Sequence, residues 1–584
     1  MCGIIGSTEI DFNHKEVLDS LKHRGEDYQN YIIKDDMFFA HTRLSIIDLD
    51  EEANQPMIFD DVTLVFNGEI YNYKELIKEH SLRCVTKSDS EVLIRLYQKF
   101  GFDFLNKLEG MFSFCIYDKE KNLFFCARDR FGKKPFYYYH TKEKFYFASE
   151  IKTILKMLKT TPKLNEEALW QYLAFESPQG DNTFYNGIKK LPASSYLLYQ
   201  NNDIKVGTYY SLGDIKITHH DEKQILKDVD KLLNDAVQKR LVGDVEVATL
   251  LSGGLDSSFI TALYAKKSKH KVHTFSIGYD EHKHYCELDF ARAASEYIGT
   301  IHHEYKISRD EYLATLDKVL EHLDEPMADS ACIPTYILSK EIHSQGFKVC
   351  LSGEGSDESF LGYDNYFKML NYYHLKNPKQ MPFDLTKEWE YNNRRLNNQQ
   401  VYQSSGETFT YTQLQKLSPK KISPILHPYV STYPPEQWLT YIDFSIWIAE
   451  VLMSKVDRMS MAHSLELRAP FLDHHLVEYL LGVEPKIKIG DTNKAILKKI
   501  ARAYLPDSII DRQKKGFSSP FIEWLYSGYG TEILDIIMEV NSQIGVFNDS
   551  FIIFLYEEAG QGRFKQHLYS LFIFCKWYKK VYMK

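Results

Sequence analysis

The sequence predicts a two-domain chain, α+β followed by α/β: antiparallel sheets covered by helices, then a doubly wound parallel sheet with added helices. Three observations carry this. At 584 residues the chain exceeds one ordinary core, a domain taking roughly 150 residues. Up to about residue 205, short β-type runs such as "VTLVFNGEIYN", "MFSFCIYD" and "NLFFCARDRFG" dominate, bounded by Asp, Asn and Gly. From about 241 the pattern becomes strand, glycine loop, helix and strand, as in "VEVATLL", "SGGLDSS", "FITALYAKK" and "VHTFSIGY". The expected boundaries are 1–205 for the first domain, 206–240 for a connecting segment and 241–584 for the second.

Taken in order, "SDSEVLIRLYQKFG" has apolar residues at helical spacing, with Ser88 or Asp89 as cap and Gly101 as stop. Asp221 to Val242 reads as a charged helix. "FKVCLSGEGSDE" supplies a further strand ending in a polar loop, whereas the His-rich "HKHYC" and "IHHEY" read as solvated surface. Residues 371–440, with "NNRRLNNQQ" and several prolines, read as a surface insertion, and the apolar stretches from about 520 as packing helices.

Composition narrows the function. A net charge of −9 gives no basic footprint for nucleic acid. No run of 18 apolar residues and no basic, then apolar, start is present, so neither a membrane span nor a signal peptide is expected and the cytoplasm is the expected location. The eight cysteines form no C-x-x-C pair, which argues for small buried hydrophobes rather than a zinc knot or disulfide framework.

Two glycine loops carry chemistry. "LLSGGLDSSF" follows a buried-type strand and opens a helix, so its backbone N–H groups converge on an anion site, with Ser252, Ser257 and Ser258 as donors and Asp256 as a metal ligand. No lysine follows at the P-loop position. The loop resembles that of the ATP pyrophosphatases; a capped glycine turn is the bland alternative. "LSGEGSDE" places Glu354, Asp357 and Glu358 beside that site, where polyphosphate would repel them unless Mg2+ intervenes. Asp256 and Asp357 are therefore the expected magnesium ligands, and Glu354 is left for the acceptor side.

With "MCGIIG", "HRGED", "HTRLSIID", "NGEIYN", "TKSDSE" and "RDRFGKKPFYY" in the first third, and "LLSGGLDSS", "SIGY", "LSGEGSDE", "SLELRAPFLDH" and "RQKKGF" after it, the chain resembles the glutamine-dependent asparagine synthetases of the bacterial B type over essentially its full length. The resemblance implies an N-terminal αββα Ntn-hydrolase sandwich with glutaminase activity and an ATP pyrophosphatase-like synthetase domain. It implies glutamine, aspartate and ATP as substrates with Mg2+, no nucleic-acid or membrane partner, and is compatible with a homodimer. Cys2, once Met1 is removed, would be the nucleophile with its own α-amine as base. Asn67 and Gly68 would bind the oxyanion. Arg43, followed by Leu44, Ser45, Ile46 and Ile47, would hold the glutamine carboxylate, and Glu69 and Asp89 its ammonium; a surface ion pair for Arg43 and a helix cap for Asp89 are the competing readings.

In the second domain the resemblance gives Leu251, Ser252, Gly253, Gly254, Asp256, Ser257, Ile277, Ser352, Gly353 and Lys514 to ATP, Asp256 and Asp357 to Mg2+, and Glu354 to the acyl-adenylate and ammonia. For Lys514 a solvated basic run competes. Glu466 and Arg468 either line the acceptor pocket or serve helix packing. Glu26, where the family has proline, and Leu361, where glycine is common, depart from the pattern; the second puts the acceptor in question, a sugar carboxylate being the alternative to aspartate.

Overall fold

The computed structural model describes residues 2–583 apart from 214, 284, 424, 426, 428, 430 and 514–518; Lys514 thus lies outside the described residues. The N-terminal part holds two six-stranded sheets. One runs in the order Ile188–Lys190, Tyr137–His140, Phe145–Ala148, Gly3–Ser7, Met37–Arg43 and Tyr28–Lys34. The other runs Asp203–Thr208, Ser195–Gln200, Leu123–Arg128, Gly110–Asp118, Val62–Ile70 and Met57–Phe59. Every pairing is antiparallel.

Strand alternation sends successive side chains to opposite faces. Ile4, Phe39, Val65, Phe124 and Phe147 fill the space between the sheets. The next residues along, Ile5 and Phe38, join Val17 and Ile154 of the helices His14–Asp19 and Ile151–Leu158. On the second sheet Leu64, Phe66 and Phe114 face Val92 and Leu96 of the helix Asp89–Phe100. The result is the expected αββα layering.

The C-terminal part is built on five parallel strands in the order Ile301–Ile307, His273–Tyr279, Val247–Leu250, Val349–Leu351 and Glu466–Arg468. The winding direction reverses between Val247–Leu250 and Val349–Leu351, and a crevice opens beyond the carboxyl ends of strands at such a point. Both glycine loops emerge there.

One expectation is corrected and two are refined. The "IHHEY" patch, read as solvated surface, is exposed or half-buried and forms the edge strand Ile301–Ile307; His303 pairs with His273 at 2.9 Å and stacks on Phe275. The segment after 371 is more than surface, because Tyr402, Phe409 and Leu417 are buried and Phe409 N–H donates to Leu173 O at 3.1 Å, docking it on the helix Glu166–Phe175. The stretch "SLELRAPFLD", read as lining the acceptor pocket or serving helix packing, contributes the strand Glu466–Arg468. The apolar C-terminal stretches do form packing helices, including Glu532–Ile544 and Asp549–Gly560.

The two parts meet through buried charge. Arg24 lies 3.0 Å from Glu150 and 2.8 Å from Asp457, and its Nε donates to the Cys2 carbonyl at 3.1 Å. Arg458, one residue on, reaches Glu150 at 3.0 Å and Asp324 at 3.2 Å. Asp457 and Arg458 belong to the helix Met453–Met461, which continues the π-helical stretch Phe444–Leu452. Among the described residues no helix is long and apolar enough to cross a membrane.

Phe147 stacks on Phe136 between the sheets and is fully buried, so Phe147→Ala should lower stability by about 3–5 kcal/mol in urea titrations. Arg458→Met would strand Glu150 and Asp324 with less compensation and should likewise cost about 3–5 kcal/mol.

Candidate functional site

Cys2 enters the first central strand, and its sequence neighbour explains its placement. Gly3 N–H donates to Thr42 Oγ1 at 3.1 Å, and the Cys2 N–H donates to Asn67 Oδ1 at 3.1 Å. Asn67 sits on the strand Val62–Ile70 of the other sheet and is fully buried, so the thiol-bearing residue and this amide meet across the sandwich. Orienting Asn67 by its oxygen leaves Nδ2 with no hydrogen-bond partner among the described residues. A buried donor without an acceptor is costly, and here it is available to an incoming oxyanion.

Gly68 follows with φ of +151°, and a Cβ there would overlap the carbonyl oxygen of Met111, so only glycine fits. Burial pushes the Cys2 thiol up, against the opposing pull of the Leu44 backbone N–H and of Arg43.

The segment after Arg43 is pinned at both ends. Ser45 N–H donates to Asp27 of "HRGED" at 2.7 Å, and Asp48 N–H to Asp244 of the second domain at 2.9 Å. Leu44, Ile46 and Ile47 are buried. Arg43 is buried too and makes no ion pair among the described residues; its guanidinium donates to Asp50 O at 3.0 Å, Asn54 Oδ1 at 2.7 Å and the Asp48 carbonyl. Asp89 is not the helix cap, because Ser88 accepts from Ser90 N–H; Asp89 instead accepts from Ile70 N–H at 2.9 Å, directly beyond Glu69. Burial pushes the Asp89 carboxyl up to about 6. It also raises Glu69, further lifted by Glu466 and opposed by Arg468.

Arg468 corrects the sequence reading. On the strand Glu466–Arg468 alternate residues face opposite ways. Leu467 lines the second-domain cavity, whereas Arg468 turns toward the first domain and lies 3.3 Å from Glu69, with Glu466 paired to it. Neither Glu466 nor Arg468 lines that cavity.

The cavity itself, about 370 Å³, opens at the reversal point between the two glycine loops. Leu251, Ser252, Gly254, Asp256, Ser257, Ile277, Ser352, Gly353, Glu354 and Asp357 line it; Gly253 lies against the Phe290 backbone instead, and Ser258 is turned away. The Ser252 N–H and Oγ both lie 3.1 Å from Ser257 Oγ, which holds the first loop closed. Ser352 N–H donates to Arg468 O at 2.8 Å, while its buried Oγ has no partner among the described residues. Burial raises the Glu354 carboxyl, with Lys455 pulling it back. The two acidic side chains Asp256 and Asp357 are close enough to share the ammonium of Lys494, at 2.6 and 2.7 Å. A pair of converging carboxylates is the hard oxygen set that suits Mg2+.

Sequence reasoning missed Lys494, Asp329, Lys455 and Trp447, all of which line the cavity. Lys455 pairs with Asp329 at 2.8 Å on the side where Glu354 lies. No motif marks these residues; they come from helices and loops far apart in the chain. Leu361 takes φ of +55°, the backbone conformation that glycine adopts without strain, so the departure changes the side chain and not the turn.

Two family models match the chain. A family described as asparagine synthase matches residues 228–579, and one described as a glutamine amidotransferase domain matches residues 1–210. The chain is 31% identical over 623 aligned residues to asparagine synthetase (glutamine-hydrolyzing) 1 of Bacillus subtilis strain 168, covering 99% of this chain and 96% of that one. It is 29% identical over 573 residues to asparagine synthetase B (glutamine-hydrolyzing) of Escherichia coli strain K12, covering 93% and 85%. With one relative aligned nearly end to end and a family match spanning more than half its length, this chain belongs to the asparagine synthase family.

Proposed function

We propose that the chain makes asparagine from aspartate, using ammonia released from glutamine at Cys2 and ATP in the second-domain cavity. The observation that carries this reading is the pairing, in one chain, of a thiol set against an orphaned buried amide with a phosphate-type loop facing an acidic loop. In the first site the Cys2 thiolate attacks the glutamine carboxamide, its proton passing to the α-amine exposed when Met1 is removed. The Asn67 Nδ2 and Gly68 N–H take the oxyanion; ammonia leaves, and water cleaves the thioester to glutamate. Arg43 would exchange loop carbonyls for the glutamine carboxylate, and Glu69 and Asp89 would take its ammonium.

In the second site an oxygen of the aspartate β-carboxylate attacks the α-phosphorus of ATP; the bond from that phosphorus to the bridging oxygen breaks, and pyrophosphate leaves with its electron pair. Ammonia then adds to the acyl carbon and AMP departs, Glu354 accepting the proton that the new nitrogen sheds. Burial raises the Glu354 carboxyl, which makes it a stronger proton acceptor than a free carboxylate. Leu251 and Ile277 would flank adenosine, the Ser252–Ser257 loop and Ser352 would hold phosphate, and Lys514 would meet the pyrophosphate. Mg2+, held by Asp256 and Asp357, would supply positive charge to the polyphosphate. On the acceptor side, Asp329 and Lys455 suit the ammonium and carboxylate of an amino acid.

The test is an acceptor screen following AMP release. Aspartate should elicit AMP and asparagine, and Cys2→Ala should abolish glutamine-dependent synthesis while leaving synthesis from ammonium salts. No response to aspartate, or loss of both activities in Cys2→Ala, overturns the reading.

The raised Asp89 carboxyl sets a pH dependence. Below about 6 it is neutral and no longer attracts an ammonium, so kcat/KM for glutamine should fall as pH is lowered through that value. Asp89→Asn should flatten this acid limb and lower the plateau by at least about tenfold. Steady-state glutaminase assays from pH 5 to 8 check it.

A further inference from the structure

Lys494 is a buried cation at the cavity, paired with carboxylates of both glycine loops. It is 4% exposed, and its Nζ lies 2.7 and 2.6 Å from the two oxygens of Asp256 and 2.7 Å from Asp357 Oδ1. Three features show that the arrangement is built rather than incidental. Lys494 caps the helix Ala495–Ala501 in the left-handed region, at φ of +53°, a conformation costly for a residue with a Cβ. At Gly362 a Cβ would overlap both Asp357 Oδ1 and Lys494 Cε, so the absence of a side chain there makes room for the pair. Ser356 Oγ donates to Asp256 Oδ1 at 2.6 Å and fixes the same carboxylate from the other side.

The ammonium thus occupies the position between the carboxylates that the adenylation reading gives to a divalent cation. A metal ion entering alone would have to expel Lys494 from both anions and leave a buried cation beside a dication, which Coulomb repulsion in a poorly solvated pocket opposes. A metal ion arriving with a nucleotide brings phosphate oxygens, which give the displaced ammonium new partners. We propose that Lys494 is a placeholder cation, holding Asp256 and Asp357 while the site is empty and passing to the polyphosphate when ATP arrives, so that the metal is admitted only together with nucleotide. The inference rests on the adenylation reading of this cavity and deepens it by making metal and nucleotide binding mutually dependent.

Mn2+ is a direct probe, read from the paramagnetic resonance signal of the free aqueous ion, with α,β-methylene-ATP as an analogue that is not cleaved. In the unaltered chain, Mn2+ uptake should be seen only when the analogue is added. Lys494→Met removes the charge at similar length and should take up Mn2+ without nucleotide at least about tenfold more tightly than the unaltered chain. Lys494→Arg keeps the charge and should stay closed to Mn2+ alone. Far-UV circular dichroism establishes that each variant is folded. If the unaltered chain binds Mn2+ without nucleotide as tightly as it does with the analogue, or as tightly as Lys494→Met does, the placeholder role is overturned while the metal ligands stand. If the unaltered chain takes up no Mn2+ even with the analogue, Asp256 and Asp357 are not metal ligands and both readings fall.

Discussion

The contact on which the rest depends is the buried guanidinium of Arg24, held by Glu150 and Asp457 while its Nε fixes the Cys2 carbonyl. Two domains of different architecture could dock loosely, as many do. Here the cost of desolvating these charges is offset only when all partners are in place, so the relative position of the domains is specified sharply. The Cys2 backbone is itself one of the partners. Arg468 repeats the device on the other flank, with its backbone oxygen under the loop that leads to Glu354 and its side chain against Glu69.

The two centres differ in what they ask of the fold. Around Cys2 the requirement is for fixed dipoles, and antiparallel strands from two sheets supply them: the thiol sits just before the strand Gly3–Ser7, and the Asn67 amide and Gly68 backbone belong to the strand Val62–Ile70. In the second domain the requirement is for a crevice that can hold several negative charges. A winding reversal in a parallel sheet provides it, and the acidic groups at its mouth are neutralised by Lys494 and Lys455.

Much of this was legible in the sequence because strand and loop chemistry is local. The "SGGLDSS" and "SGEGSDE" loops follow apolar strands, and their position at the carboxyl ends follows from that order. The antiparallel first domain was visible in runs whose alternate residues proved to face the inter-sheet core. What stayed hidden was set by tertiary placement. Ile301–Ile307 is a strand because its neighbour offers a free edge, although its histidines suggested surface. The orientation of Arg468 depends on which face of a three-residue strand the first domain covers. Lys494 and the Lys455–Asp329 pair become recognisable only when helices distant in sequence are brought to one cavity.

The helix Met453–Met461 has a consequence for any attempt to redirect the chain to a different acid. Lys455 and Asp457 are two residues apart, about 200° around the helix axis, so one faces the acceptor side and the other the Arg24 contact. A rotation or shift of this helix that reshaped the pocket would also disturb the Arg24 contact that holds the Cys2 backbone. Asp329, which pairs with Lys455 from outside this helix, is the member of that pair whose replacement leaves the Arg24 contact in place.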